Sequence, residues 1–400
     1  MCHTRGEAVV VAVQFPDATN SDAASVGKYS LFAGGFDVSN VASAAVDIFV
    51  NGSRIATHTL SQPRGLLAAT ALSERYVLFA GGQDASGNKS DVVDIFDALT
   101  LTWSVAKLSL PRSMLAATSA GEIALFAGGE LSEHEGNTST ADDTDRVDLY
   151  DSRDGTWSTA SLSIARKKLA ATSLDDVALF AGGYLSAAGP RAEWDAYDAV
   201  SGAWSRGNLS APRMRLQAAS AGGAALFIGG MGDGTTQGCG ADCNVVDLCP
   251  LWSKGLRKWS VQHLQRGFVQ HLIESCCLLL CAPRADPSFL FSVSHFFFLS
   301  YSYRSRYEFA AVSLRDSVIV VTGGKQGPLN ASQPGDHAWD LVEVYHTSNA
   351  SWTQRTIAQE ARSYIVAVRH TMENGEEVVL VGGGDFQNGT RTDMVDIIRA

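Results

Sequence analysis

The sequence predicts an all-β protein built as a ring of repeated four-stranded sheets, and three recurring features lead to this prediction. A hydrophobic run ending in two glycines recurs along the chain, an Arg precedes a small apolar strand, and a Val-Asp-aliphatic-aromatic strand is followed by Trp. A single four-stranded sheet of this size cannot bury both of its faces. Sheets stacked around an axis bury their faces against neighbours and leave only short edges exposed.

The double glycine sets the period of the repeat. The pairs are Gly34-Gly35, Gly81-Gly82, Gly128-Gly129, Gly182-Gly183, Gly229-Gly230, Gly323-Gly324 and Gly382-Gly383. Successive pairs are separated by 47, 47, 54, 47, 94 and 59 residues, and the step of 94 is twice 47. Each pair ends the second strand of its unit, where a side chain would hinder a turn or a close neighbour.

The remaining signals divide each unit into four short strands. The small apolar strand follows an Arg at positions 64, 112 and 166, and the Val-Asp pair occurs at Val46-Asp47, Val93-Asp94 and Val147-Asp148. Trp103 and Trp157 follow the second and third of these Asp residues by nine positions. We interpret the repeated Gly, Arg and Trp residues as structural, with the Trp providing apolar area between adjacent sheets.

These residues resemble the kelch-repeat family over about 350 of the 400 residues. The resemblance implies a β-propeller. We predict a single domain spanning residues 1–400 with seven four-stranded blades, and eight or six blades are the alternatives. The apolar run Ala8–Val13 lies in the register of a fourth strand, whereas Met394–Ile398 resembles a third strand. We therefore expect the N-terminal strand to complete the last blade and close the ring.

Residues 267–305 do not follow the repeat. The segment is rich in Cys, Phe, Leu and Ser and has neither a Val-Asp pair nor a Trp. It is interpreted as a degenerate extra blade, a membrane segment or an atypical insertion such as a translated intron. Pro283 and Pro287 divide the apolar stretch, and neither half reaches the length of a membrane span.

Composition and motifs argue against several functions. A formal net charge of −11 disfavours binding to nucleic acid or to an anionic membrane. The nine His residues have no metal-ligand spacing, and the pair Cys239 and Cys243 lacks a second pair of ligands. The sequence shows no phosphate-binding loop and no nucleophile elbow. We expect no catalytic residues, no metal, no cofactor and no enzymatic activity.

The loops between the second and third strands are the predicted binding site, because such loops present variable chemistry over a rigid ring. The candidate residues are Gln83, Asp84, Glu133, His134, Tyr184, Arg191, His337 and Trp339. The expected function is a monomeric protein–protein interaction module that acts as a scaffold. The alternative is a secreted or cell-surface propeller that binds glycans, or an enzyme acting on sugars.

Asn-x-Ser/Thr sequons involve seven of the eleven Asn residues. Their presence indicates either a glycosylated protein or the ordinary turn preference of Asn, Ser and Thr. The short apolar run near the N-terminus does not have the form of a signal peptide. We therefore expect a cytoplasmic protein, with a secreted or cell-surface location as the alternative.

Overall fold

The structure is a computed structural model. It describes residues 22–37, 39–132, 143–232, 246–250, 260–262, 309–314, 318–326, 337–338, 341–349, 351–356, 361–386 and 395–399. These residues form antiparallel sheets, in agreement with the predicted all-β fold. In the part of the chain so described, no helix is long and apolar enough to cross a membrane.

The first three blades each contain four strands in chain order, innermost strand first. Blade one comprises β1 (Asp22–Val26), β2 (Tyr29–Ala33), β3 (Ala45–Val50) and β4 (Ser53–Thr59). Blade two comprises β5 (Ala68–Leu72), β6 (Tyr76–Ala80), β7 (Val92–Asp97) and β8 (Thr102–Lys107). Blade three comprises β9 (Ala116–Ala120), β10 (Ile123–Ala127), β11 (Arg146–Asp151) and β12 (Thr156–Ser161).

Blades four to six repeat this order, and two of them carry a small hairpin between the second and third strands. Blade four comprises β13 (Ala170–Leu174), β14 (Val177–Ala181), β17 (Glu193–Asp198) and β18 (Trp204–Asn208), with the hairpin β15 (Tyr184–Leu185) and β16 (Gly189–Pro190). Blade five comprises β19 (Gln217–Ala221), β20 (Ala224–Ile228), β21 (Val246–Pro250) and β22 (Ser260–Gln262). Blade six comprises β23 (Ala310–Leu314), β24 (Val318–Thr322), β27 (Leu341–His346) and β28 (Ser351–Thr356), with the hairpin β25 (Lys325–Gln326) and β26 (His337–Ala338).

Among the described residues the last sheet has three strands, which corrects the expectation of seven four-stranded blades to six. Its strands are β30 (Val366–Thr371), β31 (Glu377–Gly382) and β33 (Val395–Ile398), and β29 (Arg362–Ser363) pairs separately with β32 (Asp385–Phe386). The third strand, β33, pairs with β31. The strand expected to complete this sheet, at residues 8–13, lies outside the described residues, as does the atypical segment 267–305.

The innermost strands form a closed ring around a central channel. Each first strand contacts the first strand of the next blade, and β30 of the last sheet contacts both β23 and β1. Apolar clusters fill the spaces between adjacent blades. One such cluster joins Leu31 of blade one with Phe79 and Trp103 of blade two, so the predicted packing of Trp between sheets is observed.

Buried Arg–Asp pairs link consecutive blades. Arg112 precedes the first strand of blade three, and its Nη2 lies 2.7 Å from an oxygen of Asp148 on the third strand, with both side chains almost fully buried. The same Nη2 donates to the carbonyl of Phe126 on the second strand. The equivalent pairs are Arg64–Asp94, Arg166–Asp195, Arg213–Asp247 and Arg362–Asp396.

The backbone of the same Arg is held by the preceding blade. The amide of Gly82 in blade two donates to the carbonyl oxygen of Arg112 at 2.9 Å, and the amide of Arg112 donates to Ser90. Each such Arg therefore binds one blade through its backbone and the next through its side chain. Burial lowers the pKa of Arg112 below its usual value, and the charge of Asp148 opposes that shift.

The double glycines let the backbone carbonyl of the next blade's Arg come close enough to accept a hydrogen bond from a glycine amide. Gly128 has φ of +67°, and a Cβ added there would lie 2.4 Å from the carbonyl oxygen of Arg166. In the last sheet the residues with this conformation are Gly383 and Gly384, with φ of +67° and +105°. The pair identified from the sequence, Gly382-Gly383, is therefore one residue too early.

We predict that Gly128→Ala destabilises the protein more than Gly155→Ala does. Both glycines have positive φ, but a Cβ at Gly155 meets nothing within 4 Å. The Gly155 variant should lose about 1–2 kcal/mol from the left-handed backbone alone. The Gly128 variant should lose about 2 kcal/mol more, because its methyl group overlaps a backbone carbonyl. Urea unfolding of both variants measures this difference, and equal losses would contradict the proposed role of the glycine pair.

A buried histidine joins the last sheet to blade one. The amide of Gly52 donates to Nε2 of His370 at 3.0 Å, and Nδ1 of His370 lies 2.8 Å from the hydroxyl of Ser30. Since Nε2 accepts a hydrogen bond, the ring is neutral and Nδ1 donates. Burial lowers the pKa of His370 to about 4.

The low pKa of His370 predicts a loss of stability on acidification. The unfolded chain binds a proton near pH 6.5 and the folded chain only near pH 4, so stability falls as the pH decreases between these values. The contribution of this residue is on the order of 3 kcal/mol. Urea unfolding from pH 7 to pH 4 should show a smaller decrease for His370→Gln than for the wild type. His58→Gln, on the exposed strand β4, is the control, and equal slopes for all three proteins would refute this role.

Candidate binding site at the channel mouth

One end of the ring carries both the predicted binding loops and the entrance to the channel. The first and second strands of each blade are antiparallel, so the start of the first lies beside the end of the second, as in the pairing of Ala68 with Ala80. The loop between the second and third strands therefore lies at the same end as the start of the first strand. We call this end of the ring the loop face.

The channel wall consists mainly of small apolar residues. The cavity has a volume of about 490 Å³ and is lined by the first strands and the residues just before them. Ala69, Ala117 and Ala171 occupy corresponding positions on the wall of blades two to four. Asp22 of blade one contributes a carboxyl group to this wall, and burial raises its pKa to about 7.

Blades two to five and the last sheet each carry one residue at the same backbone position of the channel mouth. These residues are Leu66, Met114, Lys168, Arg215 and Tyr364, with φ between +54° and +56°. The amide of Met114 donates to the carbonyl of Leu66 at 3.0 Å, and the amides of Lys168 and Arg215 donate in the same way to the preceding member. This chain of backbone hydrogen bonds fixes the left-handed conformation and places each side chain at the mouth.

A network of charged and polar side chains joins the loops of blades two, three and four. Lys89 of blade two lies 2.6 Å from the side-chain oxygen of Gln83 and 2.8 Å from Glu130 of blade three. Lys167 of blade four contacts the other oxygen of Glu130 and lies 3.4 Å from Asp143. The two Lys side chains are each 8% exposed, so the network is an internal part of the loop face.

The network neutralises its own charges. Burial acts to raise the pKa of Glu130, but the hydrogen bonds from Lys167 and Lys89 outweigh it and the pKa is lowered. Burial acts to lower the pKa of Lys167, and its contacts with Glu130 and Asp143 raise the pKa instead. Glu130 and Lys167 therefore carry opposite charges at neutral pH, and the network holds the three loops in fixed positions.

Four of the predicted residues are described together with their contacts. Gln83 belongs to the network and also accepts a hydrogen bond from Ser113 at 3.0 Å. The ring of Tyr184 lies 6.0 Å from the ammonium groups of both Lys167 and Lys168. Asp84 instead caps its own turn by accepting from the amides of Ser86 and Asn88. Arg191 pairs with Glu193 of the same blade.

The other candidates are only partly described. His337 lies in β26, where its backbone pairs with Gln326. Glu133, His134 and Trp339 lie outside the described residues, as do Cys239 and Cys243. Among the described residues, no group of three His, Cys, Asp or Glu side chains is placed to hold a metal ion.

The residues at the centre of the site carry no motif that singled them out in the sequence. These are Lys89, Glu130, Lys167, Lys168 and Arg215. A comparison of equivalent positions would have found Lys168 and Arg215, because the residue two places after the repeated Arg changes from Leu66 to Met114, Lys168 and Arg215 while its surroundings recur.

Comparisons with known proteins establish the fold. No protein-family model matches the chain, and no curated protein matches it. The solved structure of YjhT is similar, with a TM-score of 0.55 and 14% sequence identity over 85% of this chain and 96% of that chain. Together with the ring of antiparallel four-stranded blades, this similarity identifies the fold as a β-propeller. The assignment to the kelch-repeat family stays a prediction from the repeated residues.

Proposed function

We propose that the chain is a non-enzymatic, kelch-type β-propeller that binds a protein partner on its loop face. The observation that carries this proposal is the network of Lys89, Glu130, Lys167 and Asp143, which fixes loops from three adjacent blades in one surface. A preorganised surface loses less conformational entropy on binding than mobile loops do. The Lys and acidic side chains of the network pair with one another, so the network supports the binding surface and is not itself the ligand contact.

The channel supports a binding role more than a catalytic one. Its wall is formed largely by alanines, and the alanines at equivalent positions provide neither nucleophile nor general base. The carboxyl group of Asp22 lies on blade one, and Lys168 and Arg215 lie on blades four and five. Catalysis by acid and base requires groups within hydrogen-bond reach of one substrate atom, so groups spread around the ring do not support it.

A glycan-binding propeller or a sugar-acting enzyme is the second candidate. It is favoured by the cavity of about 490 Å³, which is large enough for a small ligand and carries the polar residues Lys168, Arg215 and Tyr364 at its mouth. Binding of a sugar in the channel, with no protein on the loop face, would support this candidate.

Photo-crosslinking can locate the partner surface. We would replace Tyr184 on the loop face by a photoreactive phenylalanine derivative, and do the same at Leu99 and Val200 as controls. The controls are 75% and 80% exposed and lie in turns between third and fourth strands, at the opposite end of the ring. Crosslinking at Tyr184 to one protein identified by mass spectrometry, with none at the controls, is the expected result. Equal crosslinking at both ends, or crosslinking at the controls alone, would overturn the proposal.

A further inference from the structure

An acidic side chain lies on the channel wall at a position where the other first strands carry uncharged residues. Asp22 is the first residue of β1, and its backbone pairs with Ala33 of β2. The equivalent residues of the other six first strands carry no charge, and they are Ala68, Ala116, Ala170, Gln217, Ala310 and Val366. Asp22 is also the one acidic residue among the described residues that line the cavity. Since the repeat forms without a carboxyl group at this position, Asp22 is a candidate for a ligand contact.

The next residue of every first strand is alanine, and we call these seven residues the alanine ring. All of them are described and line the cavity, and they are Ala23, Ala69, Ala117, Ala171, Ala218, Ala311 and Ala367. Their methyl groups give the channel an apolar surface beside Asp22. An alkyl chain that enters the channel can pack against this surface and lose its contact with water, which is favourable.

Two backbone amides of the alanine ring hold the carboxyl group of Asp22 in place. The amide of Ala23 donates to Oδ1 at 2.8 Å, and the amide of Ala69 in blade two donates to Oδ2 at 2.7 Å. Each carboxylate oxygen has two lone pairs and can accept a further hydrogen bond. The side chain is half-buried and lines the cavity, so a ligand in the channel can reach it.

In the part of the chain that the structure describes, no cation balances the charge of Asp22. Burial raises the pKa of Asp22 to about 7 against the effect of the two amide hydrogen bonds, and no described Lys, Arg or His contributes. The cations among the described lining residues, Lys168 and Arg215, belong to blades four and five, whereas blade one adjoins blade two and the last sheet. An ionised carboxylate away from water is costly unless a counter-charge accompanies it. A cationic ligand supplies that charge, and the formal net charge of −11 attracts cations to the protein.

We propose that the channel binds an alkylammonium group, with the ammonium donating to the carboxylate of Asp22 and the alkyl chain packed against the alanine ring. A compact ammonium needs one open acceptor position. A guanidinium group matches a carboxylate best through both oxygens, and each oxygen of Asp22 already accepts an amide. A free alkylamine and a lysine side chain of a protein carry the same group. The site therefore goes beyond protein binding on the loop face and does not depend on it.

NMR titration of the full chain, labelled with ¹³C at its alanine methyl groups, tests this site. The probes are n-butylammonium, 1-butanol and butyrate, which share an alkyl chain and differ in charge. Butylammonium at pH 8 should shift the methyl resonances of the alanine ring and bind at least tenfold more tightly than the other two probes. Equal binding of butylammonium and 1-butanol to the wild type would overturn the proposal, and this comparison needs no variant.

A matched pair of variants locates the binding. Asp22→Asn should weaken the binding of butylammonium at least tenfold, because the amide keeps the shape of the side chain and removes its charge. The control is Asp91→Asn, which removes a carboxylate that pairs with the exposed side chain of Lys107, and its affinity should stay within twofold of wild type. Thermal unfolding verifies that both variants are folded. Equal affinities of the two variants would overturn the assignment to Asp22.

The pH dependence gives a second readout. Asp22 is about nine-tenths ionised at pH 8 and about one-tenth at pH 6, so butylammonium should bind the wild type about tenfold more weakly at pH 6. Asp22→Asn should show no such change, and an unchanged wild-type affinity would contradict the proposal. The other titratable groups on the cavity wall and on the strands packed against β1 are Lys168, Arg215, Tyr364, Tyr29, Tyr76, Arg369 and His370. His370 stays neutral from pH 6 to pH 8, because burial lowers its pKa to about 4.

A peptide distinguishes the two sources of the alkylammonium group. The probe is an acetylated and amidated pentapeptide with one central Lys between pairs of Gly. Binding of this peptide at least as tight as that of butylammonium, with shifts of the same methyl resonances, identifies a lysine side chain as the ligand. Binding of butylammonium without the peptide identifies a free amine. Both results support the site at Asp22, and the absence of shifts in the alanine ring with either probe would overturn it.

Discussion

The buried Arg–Asp pair is the interaction on which the rest of this structure depends. Its Arg is bound through the backbone to the glycine pair of one blade and through the side chain to the next, as Arg112 is with Gly82 and Asp148. An ion pair in such surroundings has a high desolvation cost, and its net contribution to stability can be small. Removal of one partner leaves a buried charge without compensation, so the pair specifies where each blade must lie.

The same constraint produces the candidate binding surface. The repeated Arg lies two residues before the mouth residue of its blade, so fixing its backbone also fixes the backbone of Lys168 and Arg215. The repeats can therefore differ there without loss of the fold, and the differences create a cationic and an apolar side of one mouth.

The sequence predicted the repeat, the all-β class and the structural use of Gly, Arg and Trp, because these depend on local patterns that recur in every blade. It did not predict the network around Glu130, since its members lie in three blades and meet only through the curvature of the ring. Asp84 illustrates the opposite error, because an acidic loop residue that resembles a ligand contact serves its own turn. The count of four-stranded blades among the described residues is six and not seven, because the last sheet has three strands there and the residues expected to supply its fourth strand, 8–13, lie outside the described residues.

A double-mutant cycle on Arg112 and Asp148 tests the central claim most directly. We predict that Arg112→Ala and Asp148→Ala each cost about 3–5 kcal/mol in urea unfolding. The double variant should cost at least about 2 kcal/mol less than the sum, since it leaves no charge unpaired. The exposed pair Lys107–Asp91 should show a coupling below about 1 kcal/mol in the same cycle. Additive losses for Arg112 and Asp148, within about 0.5 kcal/mol, would contradict the coupling of blades through this pair.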